Sequence, residues 1–264
     1  MMKINKTVPL LTGLALTMLS FTASQAAVSD SEAARLGQEL TPMGAIKAGN
    51  ADGSIPAWDG GITTPPAGFN PGDHHPDPFA ADKPLFTITA QNKDQHKDKL
   101  TAGHLAMLET YPDSYKLNVY PSHRSAAFPQ RIYDATRINA SKATLVDDGN
   151  GVSDAIIGIP FPIPASGGEV IWNHLLRYRG ETVGRGLAPA QPSRRGKDTL
   201  VKFEDDFDVM SRTPGARFAD LNNIILYFKH KVIAPARLAG YILLAHETLN
   251  QVKQPRAAWT YNTG

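Results

Sequence analysis

The chain has 264 residues, 27 lysines and arginines against 25 acids, and 42% hydrophobic residues, a globular rather than a disordered composition. It has no cysteine, which excludes disulfide frameworks, thiolate-held zinc or iron–sulfur clusters, and thiol nucleophiles. The near-balance of charge leaves no electrostatic footprint for nucleic acid, so no nucleic-acid partner is expected.

Residues 1–26 read as a secretory leader. Lys3 and Lys6 precede an apolar run from Val8 to Leu19, and Ser24-Gln25-Ala26 supplies the small residues that signal peptidase reads, with cleavage after Ala26. That run falls well short of the roughly 20 residues that cross a bilayer as a helix. The mature protein is therefore expected to be soluble. Residues 27–91 form an irregular arm: from Pro42 to Pro84 there are eight prolines and seven glycines in 43 residues, too many for regular elements. The aromatics Trp58, Phe69, Phe79 and Phe86 favour packing of this arm over a core.

Residues 92–264 carry the regular structure. Leu100, His104, Met107, Leu108 and Tyr111 recur at helical spacing within Asn92 to Tyr111, with Thr101 as an internal cap and Pro112 as the stop. A second helix is predicted from Gln130 to Lys142, and the stretch from Leu117 to Pro129 reads as a loop. Asp147-Asp148-Gly149-Asn150-Gly151 is a turn signal. The alternate prolines of Gly158-Ile159-Pro160-Phe161-Pro162-Ile163-Pro164 force an extended segment. It leads to Ser166-Gly167-Gly168-Glu169, a capping box opening a short helix whose stripe is Ile171, Trp172, Leu175 and Leu176, closed by Gly180.

Beyond Gly196 the period changes to two. Val201, Phe203, Phe207 and Val209 alternate with Lys202, Glu204, Asp206 and Asp208, the pattern of a half-exposed strand. Three further strands are predicted within Asn222 to Ile233, Arg237 to Leu249 and Arg256 to Tyr261. Ile224 to Phe228 and Tyr241 to Ala245 are apolar on both faces, so the sheet is covered or lined on both sides there.

Catalytic motifs are missing. Gly151-Val152-Ser153-Asp154-Ala155 lacks the last glycine of a nucleophile elbow, and Gly196-Lys197 is followed by Asp198 where a phosphate loop needs a hydroxyl. His74, His75 and Asp77 lie in the arm with nothing to fix a metal geometry, and His246-Glu247 meets Asn250 where a zincin has its second histidine. No metal, cofactor or catalytic residue is expected. Glu204, Asp206 and Asp208 read as a solvated strand face, and Arg194-Arg195 with Lys197 as an exposed turn or a contact for lipid phosphate or a partner. Tyr227, Phe228, Tyr241, Leu243, Trp259 and Tyr261 fall on neighbouring strands. With Trp172 they form either an ordinary core or a wall able to hold an acyl chain.

Several segments carry a resemblance: Gly53-Ser54-Ile55-Pro56-Ala57-Trp58, Asp77-Pro78-Phe79, Lys83 to Asn92, Val119-Tyr120-Pro121-Ser122-His123-Arg124, Gly158 to Pro164, Ile171-Trp172-Asn173-His174 and His246-Glu247-Thr248-Leu249. Together, over nearly all of the mature chain, they resemble a family of secreted Gram-negative proteins of unknown function labelled outer membrane lipoprotein-sorting proteins. The resemblance implies an α+β fold similar to the carriers LolA and LolB, a curved antiparallel half-barrel with helices on its concave side. Family members continue with more strands, so the half-barrel is expected to be incomplete here, from truncation or with an open sheet edge. It further implies a periplasmic protein, free or associated with the outer membrane, whose partners are lipid or acylated protein and an inner-membrane exporter or outer-membrane acceptor. Two other readings stay open. One is a lipid-ester hydrolase with His123 or His174 as base, and the other a docking subunit that binds its partner through the arm.

Overall fold

The computed structural model describes residues 28–70, 72–155, 157–193, 196, 198–209 and 214–262. Residues 1–26, read above as a leader, and Arg194, Arg195 and Lys197, read above as an exposed turn or a contact, lie outside them.

The described chain opens with a one-turn helix, α1 (Asp30–Ala33), capped reciprocally by Ser29 and Glu32. Ala33, Leu36 and Leu40 bury themselves with Ala140, Val28 and Ile163. The chain then runs to residue 85 without a helix or strand among the described residues, apart from isolated bridges joining Leu36, Leu40 and Ile46. This proline- and glycine-rich stretch is packed down. Arg124 fastens it: the guanidinium donates to the carbonyls of Ile46 at 2.6 Å and Lys47 at 3.0 Å, with longer contacts to Ala48 and Pro56. Trp58 Nε1 donates to Ala126 O, and Ile62 N to Ser125 O. A proline-rich backbone with few partners of its own thus finds them in one cation and one loop.

The next element, β1 (Phe86–Ile88), pairs with β2 (Leu117–Val119), which lies inside the segment expected to be a loop. The single helix anticipated from Asn92 to Tyr111 is split. A 3-10 helix covers Lys93–Lys99, Leu100 is extended, and Thr101 caps α2 (Ala102–Thr110) by accepting from His104 N. Only Leu108 of α2 is buried; Met107 and Tyr111 are exposed, so the helical spacing there marks no core face.

In α3 (Gln130–Ala140), Ile132, Thr136, Asn139 and Ala140 form the buried stripe. The proline-rich segment lies along it: Asn139 Nδ2 donates to the carbonyls of Ile157 and Ile159. Gly158 has a φ of +79°, and a Cβ there would stand 2.4 Å from Thr136 Oγ1, so the close approach requires glycine. The turn at Asp147 joins β3 (Thr144–Val146) to β4 (Gly151–Ser153).

Ser166 caps α4 (Gly167–Leu176) as anticipated, accepting from Glu169 N, but the Glu169 carboxylate accepts from Ala165 N, one residue earlier than a capping box requires. The helix ends at Leu176, where Arg177 turns extended, and not at Gly180. Of the expected stripe only Trp172 and Leu176 are buried; Ile171 and Leu175 are exposed.

The last third forms a five-stranded antiparallel sheet. Its strands are β5 (Thr182–Leu187), β8 (Lys202–Asp208), β9 (Ile224–Ala234), β10 (Ile242–Thr248) and β11 (Ala257–Tyr261), in that spatial order and not closed into a barrel. A small separate pair, β6 (Ala190–Pro192) with β7 (Asp198–Leu200), sits between β5 and β8 in the chain. The main core joins α4 to the end of this sheet: Trp172, Leu176, Phe161 and Val152 cluster with Leu221, Ile225 and Leu249. The architecture is α+β, and the strand pairs among the described residues are antiparallel.

Candidate binding face

Register decides what each face of the sheet carries, because residues paired across antiparallel strands share a side. Across β5, β8, β9 and β10, Arg185, Asp205, His230 and Leu243 stand in one row. The row toward the core end is Val183, Phe207, Phe228 and Ala245, and on the other side Leu187, Phe203 and Val232 align. This inner face is therefore apolar with one polar row through it. Phe207 and Phe228 stack with centroids 4.7 Å apart, and the Tyr241 ring, 6.5 Å from His230, joins the same side.

The polar row is a closed network. Asp205 has a side chain only 2% exposed, and both its oxygens are engaged: Arg185 donates to Oδ2 from Nε at 2.9 Å and from Nη2 at 2.8 Å, while His230 Nδ1 meets Oδ1 at 2.7 Å. A carboxylate so far from water is tolerable only when paired and hydrogen-bonded. Its neighbours shield it: the Arg185 guanidinium lies over the Phe207 ring at 4.8 Å, and the His230 ring sits 4.3 Å from that of Phe203. His230 and Arg185 are themselves 20% and 43% exposed, so the network reaches the surface of the face.

The opposite face is divided. Its β8–β9 half carries Glu204 opposite Lys231 and Asp206 opposite Lys229, the latter pair 3.7 Å apart. Glu204, Asp206 and Asp208 are exposed, the solvated face that the alternation of β8 predicts. Its outer half is aromatic: the His246 ring packs edge-on to Tyr227 at 4.6 Å and to Trp259 at 4.9 Å. Trp259 and Tyr261 are 53% and 62% exposed.

The seven residues singled out in the sequence are thus separated in space. Phe228, Tyr241 and Leu243 lie on the inner face, while Tyr227, Trp259 and Tyr261 lie on the other. Trp172 is buried, and its Nε1 donates to Gly149 O at 2.9 Å. Asp205, His230 and Arg185 were not anticipated. The signal available was a lone acid at an inward position of β8, between Phe203 and Phe207, which alternation alone does not explain.

Two cavities adjoin the inner face. One of about 80 Å³ is lined by Val183, Phe207, Val209 and Leu226 with Arg179 and Arg185. Another, of about 360 Å³, lies between the end of α4 and the end of β10. A further cavity of about 290 Å³ lies under the arm, lined by Met43, Trp58, His123 and Tyr133 among others. There His123 Nε2 meets Asp82 Oδ2 at 2.6 Å and the Phe79 ring stacks on His123 at 3.8 Å, tying the arm to its loop. Ser125 lines this cavity with His123, but no hydrogen bond joins its hydroxyl to that ring. His174 is exposed near the end of α4. Among the described residues, no three His, Asp or Glu side chains are grouped as metal ligands.

Residues 87–264 match the family described as "Protein of unknown function (DUF1329)", and the chain belongs to that family. Over 251 residues, 95% of its length, the chain is 52% identical to an uncharacterized protein of Pseudomonas aeruginosa. The chain spans about half of that relative, 55% of its length. No solved structure matches it.

Proposed function

We propose that this chain, as a member of that family, is a periplasmic carrier that holds the acyl part of a lipid or of an acylated protein and performs no chemistry on it. The observation that carries the reading is the inner face, where stacked Phe207 and Phe228, with Leu226, Tyr241 and Leu243, remain only half-buried beside two cavities. A face of this kind gains about 25 cal/mol for each Å² of hydrocarbon it covers. The sheet is then read as part of a half-barrel like those of LolA and LolB. Cargo passes from an inner-membrane exporter toward an outer-membrane acceptor by differences in affinity. No cofactor or metal enters this reading.

Native mass spectrometry of protein taken from the periplasm tests it. The wild type is expected to carry a lipid mass that Tyr241→Asp removes and Tyr227→Asp, on the opposite face, retains. Lipid-free wild-type protein with no affinity for acyl probes overturns the reading.

A further inference from the structure

Arg179 lines both cavities beside the inner face, and so does Leu226. The smaller cavity adds Arg185 and Phe207, the larger Arg177 and Leu175 together with the Arg256–Glu247 ion pair, so four guanidinium groups and one paired carboxylate line the place where the apolar face meets the end of α4. The carboxylates nearby already have cationic partners: Asp205 has Arg185 and His230, Glu181 has Arg131, and Glu247 has Arg256, while Arg177 Nη1 donates to His174 O. Arg179 itself makes no side-chain hydrogen bond or ion pair among the described residues. Its affinity for the proton lies below the ordinary guanidinium value, first through partial desolvation and then through repulsion by Arg177 and Arg185. A cation set among like charges and against apolar walls is stabilised by an anion, and a guanidinium fork suits phosphate or carboxylate oxygens.

We infer that Arg179, with Arg177 and Arg185 beside it, receives the anionic headgroup, phosphate or carboxylate, of an amphiphile whose chain lies along Leu226 and Phe207. This rests on the carrier reading and adds the class of cargo to it. The uncharged end of such a ligand occupies the face already described, and the charged end defines its direction.

Calorimetric titration of the protein with dodecyl phosphate, dodecyl maltoside and inorganic phosphate, each detergent kept below its micellar concentration, tests the inference. Dodecyl phosphate is expected to bind about tenfold tighter than the maltoside, a gap that Arg179→Gln closes and Arg179→Lys preserves in part. Inorganic phosphate is expected to bind far more weakly than dodecyl phosphate. Because Arg179 is exposed, the variants are expected to melt like the wild type. Equal affinity for the two detergents, or an Arg179→Gln variant that keeps the preference, overturns the headgroup site while leaving the carrier reading intact. Inorganic phosphate binding as tightly as dodecyl phosphate overturns it in favour of a free-anion site. If neither detergent binds, the carrier reading falls and takes the inference with it.

Discussion

Asp205 is the residue on which the inner face is most finely balanced. Both carboxylate oxygens are engaged and almost no water reaches them, so Asp205→Ala leaves Arg185 and His230 without their shared acceptor. A loss of about 3 kcal/mol is expected in denaturant unfolding, within the range for breaking a buried pair from one side. Arg124→Ala removes several charge-assisted bonds to carbonyls of the arm at once, at roughly 2–3 kcal/mol. Its clearest readout is limited proteolysis, with new cleavage expected between residues 42 and 84. Gly158→Ala meets both a left-handed φ and Thr136 Oγ1, so destabilisation above about 2 kcal/mol is expected, where an ordinary glycine-to-alanine change is near neutral. Asp52 titrates below the usual aspartate range because the Ser54 hydroxyl and backbone N–H donate to its carboxylate. The order that this turn adds is therefore present above the unfolded pKa and lost as pH falls through the lowered value. Following the carboxyl carbon of Asp52 by NMR checks this, and a midpoint at the ordinary aspartate value contradicts it.

At the scale of elements, legibility followed the strength of each local signal. The Ser166 cap, the proline-forced extension along α3 and the alternation of β8 were readable because each follows from covalent restriction or a two-residue period. The strand β5 was not, since Gly184 and Gly186 hold its outward positions and leave no alternating pattern. The pairing of β1 with β2 was missed because three-residue strands arise from a long-range partner rather than from their own sequence. In α2 the helical spacing was real but its stripe was not buried, because α2 presents only Leu108 to the interior. The candidate site suffered in the same way. Hydrophobicity picked out residues on neighbouring strands, but only register assigns Phe228 and Tyr227, adjacent in the chain, to opposite faces. One consequence is testable on the element itself. Tyr227→Ala and Trp259→Ala, stripping the outer aromatic row, are expected to leave acyl-probe affinity within about twofold, whereas Phe228→Ala lowers it about tenfold. Equal losses from all three changes contradict the division of faces.

For the whole molecule, the sheet's inner face is the feature to which the other parts relate. At its core end Trp172 and Leu176 of α4 cluster with Ile225 and Leu249 beside the larger cavity, and its polar row is anchored by Asp205. The family match begins at Thr87, within β1, and takes in every strand of the sheet, while the arm fastened by Arg124 precedes it. The match to the Pseudomonas aeruginosa relative, over 95% of the chain, takes in most of the arm as well. The most direct measurement is photo-crosslinking of the folded protein with a diazirine-bearing fatty acid, mapped by peptide mass spectrometry. Adducts concentrated on Leu226, Phe228, Tyr241 and Leu243 are the expected result. Adducts confined to Trp259 and Tyr261, or no adduct above that of heat-unfolded protein, contradict the inner face as the place where an acyl chain is held.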